Sequence, residues 1–190
     1  MKKITGIVVT IVLLSINAFA LDTKERQSFS ITDVNNKVYT VKELANGLEF
    51  ENIKDKIILL EFFGHRCPPC KKSIPHYISL QKKFKKDIAI VAIEVQGLDR
   101  KALKSFGEKK GINYITISQA DAGMFLEHVA TRSGWSGAIP FLIILNQKGE
   151  VQTMQAGLIP ESSLERVING LLPKKVVEDT NTTKDSNSSK

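Results

Sequence analysis

Residues 57–70 read Ile-Ile-Leu-Leu-Glu-Phe-Phe-Gly-His-Arg-Cys-Pro-Pro-Cys. The first seven are apolar except for one carboxylate, the composition of a strand buried on both faces. Gly64 breaks the run. Beyond the cysteines, Ile74, Tyr77, Ile78 and Phe84 share one face of a helix expected over residues 68–84. Two cysteines three apart therefore stand where a buried strand turns into a helix. There the first thiol meets the unpaired N–H groups and the positive end of the helix dipole, and both favour thiolate. Thiolate is the attacking species in disulfide exchange. Cys67 reads as the nucleophile and Cys70, one turn in and less exposed, as the resolving thiol. The alternatives are half of a metal site or an inert structural pair. The chain has two cysteines, so a metal would need histidines or a second chain.

Outward from this stretch, strand and helix signals alternate. Residues 29–34 and 37–41 alternate around Asn35-Asn36 and read as a hairpin. Residues 88–95 form a second buried strand. Asp99 caps a helix that stops at Gly111. A short strand over residues 114–117 follows, then a helix opened by Asp121 and running to about residue 130. Residues 141–145 and 151–156 form a second hairpin around Gln147-Lys148-Gly149, and residues 161–172 a last helix. This order predicts an α/β sandwich with helices on both sides of a mixed sheet.

The 190 residues include 27 Lys+Arg, 20 Asp+Glu and 42% hydrophobic residues, with a formal net charge of +7. That is enough apolar material for one core and too few cysteines for a disulfide-dense scaffold. No run of 18 or more apolar residues exists, so a standard membrane span is not expected. Lys2 and Lys3, the largely apolar residues 4–16 and Ala18-Phe19-Ala20 make a secretory signal over residues 1–20, cut after Ala20. An uncleaved membrane anchor is the alternative. Residues 174–190 are almost wholly polar and read as a disordered tail. The domain between spans residues 27–173. The basic run Lys82-Lys83-Phe84-Lys85-Lys86 reads as a solvated helix end with Phe84 on the apolar face, and no nucleic acid is expected.

Several residues carry separate expectations. Glu61 is costly to bury as a charge, so its pKa should be raised; a solvated Glu at the strand's end is the alternative. Ile139-Pro140 follows the loop Gly134-Trp135-Ser136-Gly137 and starts a strand. X–Pro bonds tolerate cis far better than others, and a trans proline at a strand start is the alternative. Trp135 packs under the Pro140 loop, at a rim that permits substrate contact. Arg66 either favours the Cys67 thiolate or is a plain surface residue. His65 could tune the same thiol but reads rather as a solvated loop residue. His76 and His128 read as surface or core-edge positions.

The strand–CPPC–helix arrangement resembles the thioredoxin superfamily, and within it the secreted TlpA/ResA-like thiol–disulfide oxidoreductases. The resemblance covers residues 29–172. Pro75 falls where thioredoxins kink the first helix, and Ala138-Ile139-Pro140 precedes a hydrophobic strand as the family's cis-proline does. The leading hairpin and the CPPC variant match the secreted branch, and residues 94–119 resemble its inserted helix and strand. The resemblance implies a thioredoxin-like three-layer sandwich with a central mixed β-sheet, an N-terminal β-hairpin and a helix–strand insertion. It implies a cis Pro140 packed on the cysteines, with the Ile139 backbone pairing with substrate. Glu61 stands six residues before Cys67, where thioredoxins carry a buried acid that takes the proton of the second cysteine. ResA-like members instead place a Glu six residues after the first cysteine, and that position here is Ser73.

Together with the signal segment, the resemblance points to a periplasmic reductant of protein disulfides; no cofactor or metal is expected, and a monomer is. Its partners would be disulfide-bearing periplasmic proteins, apocytochrome c among them, and a membrane electron donor of the DsbD/CcdA type. A Cu(I)-binding thiol metallochaperone is the rival of another class, since soft thiolates suit Cu(I). A disulfide oxidase or isomerase is the rival within redox chemistry. In the tail, Asn181 and Asn187 both sit in Asp-x-Asn-x-Ser/Thr, which resembles the acceptor pattern of bacterial periplasmic N-glycosylation.

Overall fold

A computed structural model of the chain describes residues 26–173. The expected signal segment and tail, with Asn181 and Asn187, lie outside the described residues. The elements are β1 (Ser28–Thr32), β2 (Val38–Leu44), β3 (Gly47–Phe50), β4 (Ile57–Phe63), α1 (Pro68–Lys83), β5 (Ile88–Glu94), α2 (Arg100–Lys110), β6 (Ile115–Ser118), α3 (Gln119–Ser133), β7 (Phe141–Leu145), β8 (Val151–Ala156) and α4 (Glu161–Leu171).

Five strands form the central sheet in the order β6-β5-β4-β7-β8. β4 lies in the middle, parallel to β5 and antiparallel to β7. Every residue of β4, β5 and β7 is buried, which is why these segments read as continuous apolar runs. Side chains alternate between faces along a strand. Ile58, Leu60 and Phe62 of β4 pack with Phe125 and Val129 of α3 and with the N-terminal strands. Ile57 and Leu59 face the other way, onto Tyr77 and Leu80 of α1 and Leu164 and Ile168 of α4. Helices thus cover both faces, as expected. Each fully buried large side chain contributes roughly 1.5–3 kcal/mol to this packing.

The N-terminal hairpin is larger than the sequence reading had it. β1, β2 and β3 make a three-stranded antiparallel sheet. The β1–β2 turn is organised by buried Asp33, whose carboxylate accepts from the Asn35 and Lys37 amides and the Tyr39 hydroxyl. The third strand docks on the end of the central sheet. Leu48 N–H donates to Gly149 O at 2.9 Å, and a Cβ on Gly47 would lie 1.9 Å from that same oxygen.

Three further corrections have local causes. α3 begins at Gln119, because Ser118 rather than Asp121 is its cap and accepts from Asp121 N–H. Asp121 sits in the first turn, ion-paired with Arg100. The helix is interrupted at Gly123 (φ 48°, ψ −132°) and runs on to Ser133, past the expected end. On α1, Ile78 is half-buried, and the buried face is completed by Ser73 and Leu80.

Candidate active site

β4 delivers the chain to Gly64, and Cys67 then occupies the N-cap of α1. Cys67 and Cys70 form a disulfide, with Cα atoms 5.3 Å apart. Cys67 keeps 6% of its surface exposed and Cys70 none. Pro68 and Pro69 fill the first two helical positions and have no N–H to offer. The helix start therefore addresses the Cys67 sulfur through Cys70 N–H, at 3.2 Å.

The loop before β7 closes over the pair. The Ile139–Pro140 peptide bond is cis, and the Ile139 carbonyl oxygen lies 3.8 Å from Cys67 Sγ. Pro140 is buried and Ile139 half-buried, its side chain against the Cys67 and Cys70 cluster. Trp135 is half-buried beneath this loop. Its indole N–H donates to Ala138 O at 2.7 Å, and its ring stands 4.8 Å from that of Phe62 and 6.5 Å from that of Phe141.

Glu61 is 1% exposed and points to the α1 side of the sheet. Ser73 Oγ lies within hydrogen-bond reach of two acceptors, Glu61 Oε1 at 3.2 Å and the Cys70 carbonyl at 2.8 Å. Burial pushes the Glu61 carboxyl up to about 8, although the Ser73 and Tyr77 hydroxyls favour its ionised form. Burial, with the Glu61 charge, also raises the Tyr77 and Tyr114 phenols well above their ordinary value. The Tyr77 and Tyr114 rings meet edge to face, 6.1 Å apart. Glu61, Ser73, Tyr77 and Tyr114 thus form one polar group inside an apolar layer, joined to Cys70 through the Ser73 hydroxyl.

A second buried carboxylate escaped the sequence reading. Glu94, at the end of β5, is fully buried. Its Oε1 accepts from His65 Nδ1 at 2.8 Å, His65 N–H at 3.3 Å and Gln96 N–H at 3.1 Å, and its Oε2 from Leu98 N–H at 2.9 Å. His65 is thereby half-buried and tied down, not solvated. Arg66 is exposed, and its backbone N–H donates to Gln96 Oε1. The signal was present in the sequence: Glu94 ends an apolar run just as Glu61 interrupts one.

The other candidates lie apart from the cysteines. His128 packs 3.6 Å from Glu43 and His76 is half-buried on α1. In the basic run Lys83 pairs with Glu165 at 2.8 Å, and Phe84 is buried. Among the described residues no group of three or more His, Cys, Asp and Glu is placed to hold a metal ion, and no helix is long and apolar enough to cross a membrane.

The AhpC/TSA family model matches residues 39–154, from β2 to β8. The chain belongs to the AhpC/TSA family. Within that family it is similar to the thiol–disulfide oxidoreductase ResA of Bacillus subtilis (strain 168), at 27% identity over 147 residues, 76% of this chain and 78% of ResA. The thioredoxin-like protein YneN of the same organism is 24% identical over 132 residues, 63% of this chain and 67% of YneN. Among solved structures, a thiol:disulfide interchange protein of Chlorobium tepidum TLS superposes with a TM-score of 0.62 at 22% identity, covering 76% of this chain and 92% of that one. The AhpC/TSA domain here thus has the thioredoxin-like fold, and the chain is a thiol–disulfide oxidoreductase of the ResA type with its cysteine pair oxidised.

Proposed function

We propose that this oxidoreductase works as a reductant of protein disulfides in the periplasm, with apocytochrome c among its substrates and a membrane donor of the DsbD/CcdA type to recharge it. The Cys67 thiolate attacks a substrate disulfide and forms a mixed disulfide, and one substrate thiolate leaves. Cys70 gives its proton to the Glu61 carboxylate and attacks Cys67 Sγ. The second substrate thiolate leaves, and the Cys67–Cys70 disulfide remains. Two electrons pass to the substrate.

The observation that carries this reading is the placement of Ser73 between Glu61 and the Cys70 backbone, at 3.2 and 2.8 Å. It links an acid raised to about 8 with the backbone of Cys70, and this supports Glu61 as the acceptor of the Cys70 proton. A carboxyl raised this far accepts a proton more readily than an ordinary Glu, as general-base catalysis favours. The Ile139 carbonyl beside Cys67 offers an extended substrate a backbone partner. The signal-like pattern in residues 1–20 supports the location, and the resemblance to secreted reductants supports the partners.

A reductant follows from modest thiolate stabilisation. Strong oxidants owe their potential, near −120 mV, to an unusually stable thiolate, whereas thioredoxin lies near −270 mV. Here two prolines leave one helix amide on the Cys67 sulfur. Titration of the purified protein against glutathione tests the reading. A potential of roughly −200 to −270 mV is expected, and one above about −150 mV overturns it.

A further inference from the structure

The loop after β5 grips the segment that leads into Cys67. Val95 N–H donates to Phe63 O at 2.9 Å, His65 N–H to Glu94 Oε1 at 3.3 Å and Arg66 N–H to Gln96 Oε1 at 2.8 Å. Glu94 also fixes Gln96 itself, accepting its backbone N–H at 3.1 Å. The Gln96 side chain lies flat across Gly64. A Cβ there would stand 2.3 Å from Gln96 Cδ and 2.4 Å from its Oε1, closer than any side-chain contact allows. A side chain at position 64 and the Gln96 side chain in its present place thus exclude each other.

We propose that Gln96 is a positioning residue for the nucleophile, clamping the Arg66 amide so that Cys67 Sγ stays over the one helix amide that reaches it. Cys67 N–H donates back to Gly64 O at 3.2 Å, so Cys67 belongs to the same braced turn. Ordinarily an N-cap acceptor can call on the amides at the second and third helical positions. Pro68 and Pro69 leave only Cys70 N–H, at 3.2 Å. A small drift of Cys67 then forfeits its only such hydrogen bond. The clamp acts through an uncharged side chain and sets thiolate stability by distance alone. The inference rests on the disulfide-exchange reading above and adds to it the residue that holds the nucleophile in place.

The test compares wild type with Gln96→Met, which keeps the length lying across Gly64 and loses the acceptor oxygen. Alkylation of reduced Cys67 at pH 7 should slow about threefold, the scale of one lost hydrogen bond. The glutathione potential should become more negative, while the circular dichroism of the oxidised protein stays unchanged. A purely structural role for Gln96 would leave rate and potential alone. Gly64→Ala, which pushes the Gln96 side chain off its seat, should reproduce both shifts. Added to Gln96→Ala it should do nothing further, because the atoms it strikes are gone. Wild-type rate and potential in Gln96→Met, or full additivity of Gly64→Ala with Gln96→Ala, would overturn the proposal. The wild-type potential from the same titration judges the reductant reading separately, since the clamp predicts only differences between variants.

Discussion

The Ser73 hydroxyl on α1 lies within hydrogen-bond reach of both Glu61 Oε1 on β4 and the Cys70 carbonyl, so Glu61 and Cys70 share a single hydrogen-bonding neighbour. The sequence reading treated positions 61 and 73 as alternative places for an acid. In the fold they are in contact. Burial pushes the Glu61 carboxyl to about 8, and this has consequences for stability as well as for proton transfer.

The first prediction is a stability that falls with pH. Unfolded, Glu61 loses its proton near 4.5; folded, it holds it to about 8. Between these values the native state binds the extra proton, so stability is fully present below about 4.5, declines as pH rises and levels off above about 8. Glu61→Gln should flatten that decline. Urea unfolding of the oxidised protein at pH 4.5, 6, 7.5 and 9 measures it. An unchanged slope in the variant would show that the carboxyl is not the group responsible.

Ser73→Ala should extend the same window upward. The hydroxyl favours the ionised form of Glu61, so its loss raises the carboxyl further. In the same unfolding series, the decline should continue beyond pH 8. Resolution of a mixed disulfide at pH 7 should slow in Ser73→Ala and more so in Glu61→Gln.

The two thiols should behave differently. Cys67 retains 6% exposure and Cys70 is sealed. Cys70→Ser should accumulate mixed disulfides with substrate, visible as high-mass species that dithiothreitol removes, whereas Cys67→Ser should not. Faster alkylation of Cys70 than of Cys67 in the reduced protein would reverse the assignment.

Pro69→Ala should make the pair less reducing. It supplies a backbone N–H at the second helical position, where an N-cap acceptor ordinarily finds one. A hydrogen bond to the Cys67 thiolate stabilises the reduced form, so the potential should rise by about 30 mV, the equivalent of ~1.4 kcal/mol. Glutathione titration reads this directly, and no rise would mean that the new amide does not reach the sulfur.

Trp135→Ala should cost about 2–3 kcal/mol in urea unfolding followed by circular dichroism, less than for a fully buried ring because Trp135 is half-exposed. The indole's contacts with Phe62 and Phe141 and its bond to Ala138 O go together.

The legibility of this chain follows the kind of signal. β4 and β5 were plain because a strand buried on both faces leaves an unbroken apolar run. Asp99 and Gly111 marked the ends of α2 because caps are local chemistry. The strand Gly47–Phe50 is only four residues long, so its alternation of buried Leu48 and Phe50 is brief; its pairing with β2 is a tight local hairpin, while its bond to Gly149 is long-range. Ile78, expected on the apolar face, is only half-buried, because spacing alone does not say which side chains fill the groove beside α1. At the site, Cys67, Cys70, Glu61 and Pro140 were legible from motif and cost of burial. Glu94 left a signal of the same kind, a carboxylate at the end of an apolar run, but its tie to His65 forms only when β5 lies beside β4. Gln96 left no trace in sequence at all, since nothing there says what crosses Gly64.

The meeting of Gly47 with Gly149 bears on transplantation. Gly149 takes φ 79°, and a Cβ on it would fall 2.3 Å from Leu48 O, while one on Gly47 would fall 1.9 Å from Gly149 O. The joint between the two sheets is thus written in missing atoms, matched one side to the other. A chimera that carries residues 26–56 onto another scaffold must bring its own glycine opposite, or the borrowed sheet will have no seat. Recombination between relatives should therefore succeed only where both halves of the joint travel together.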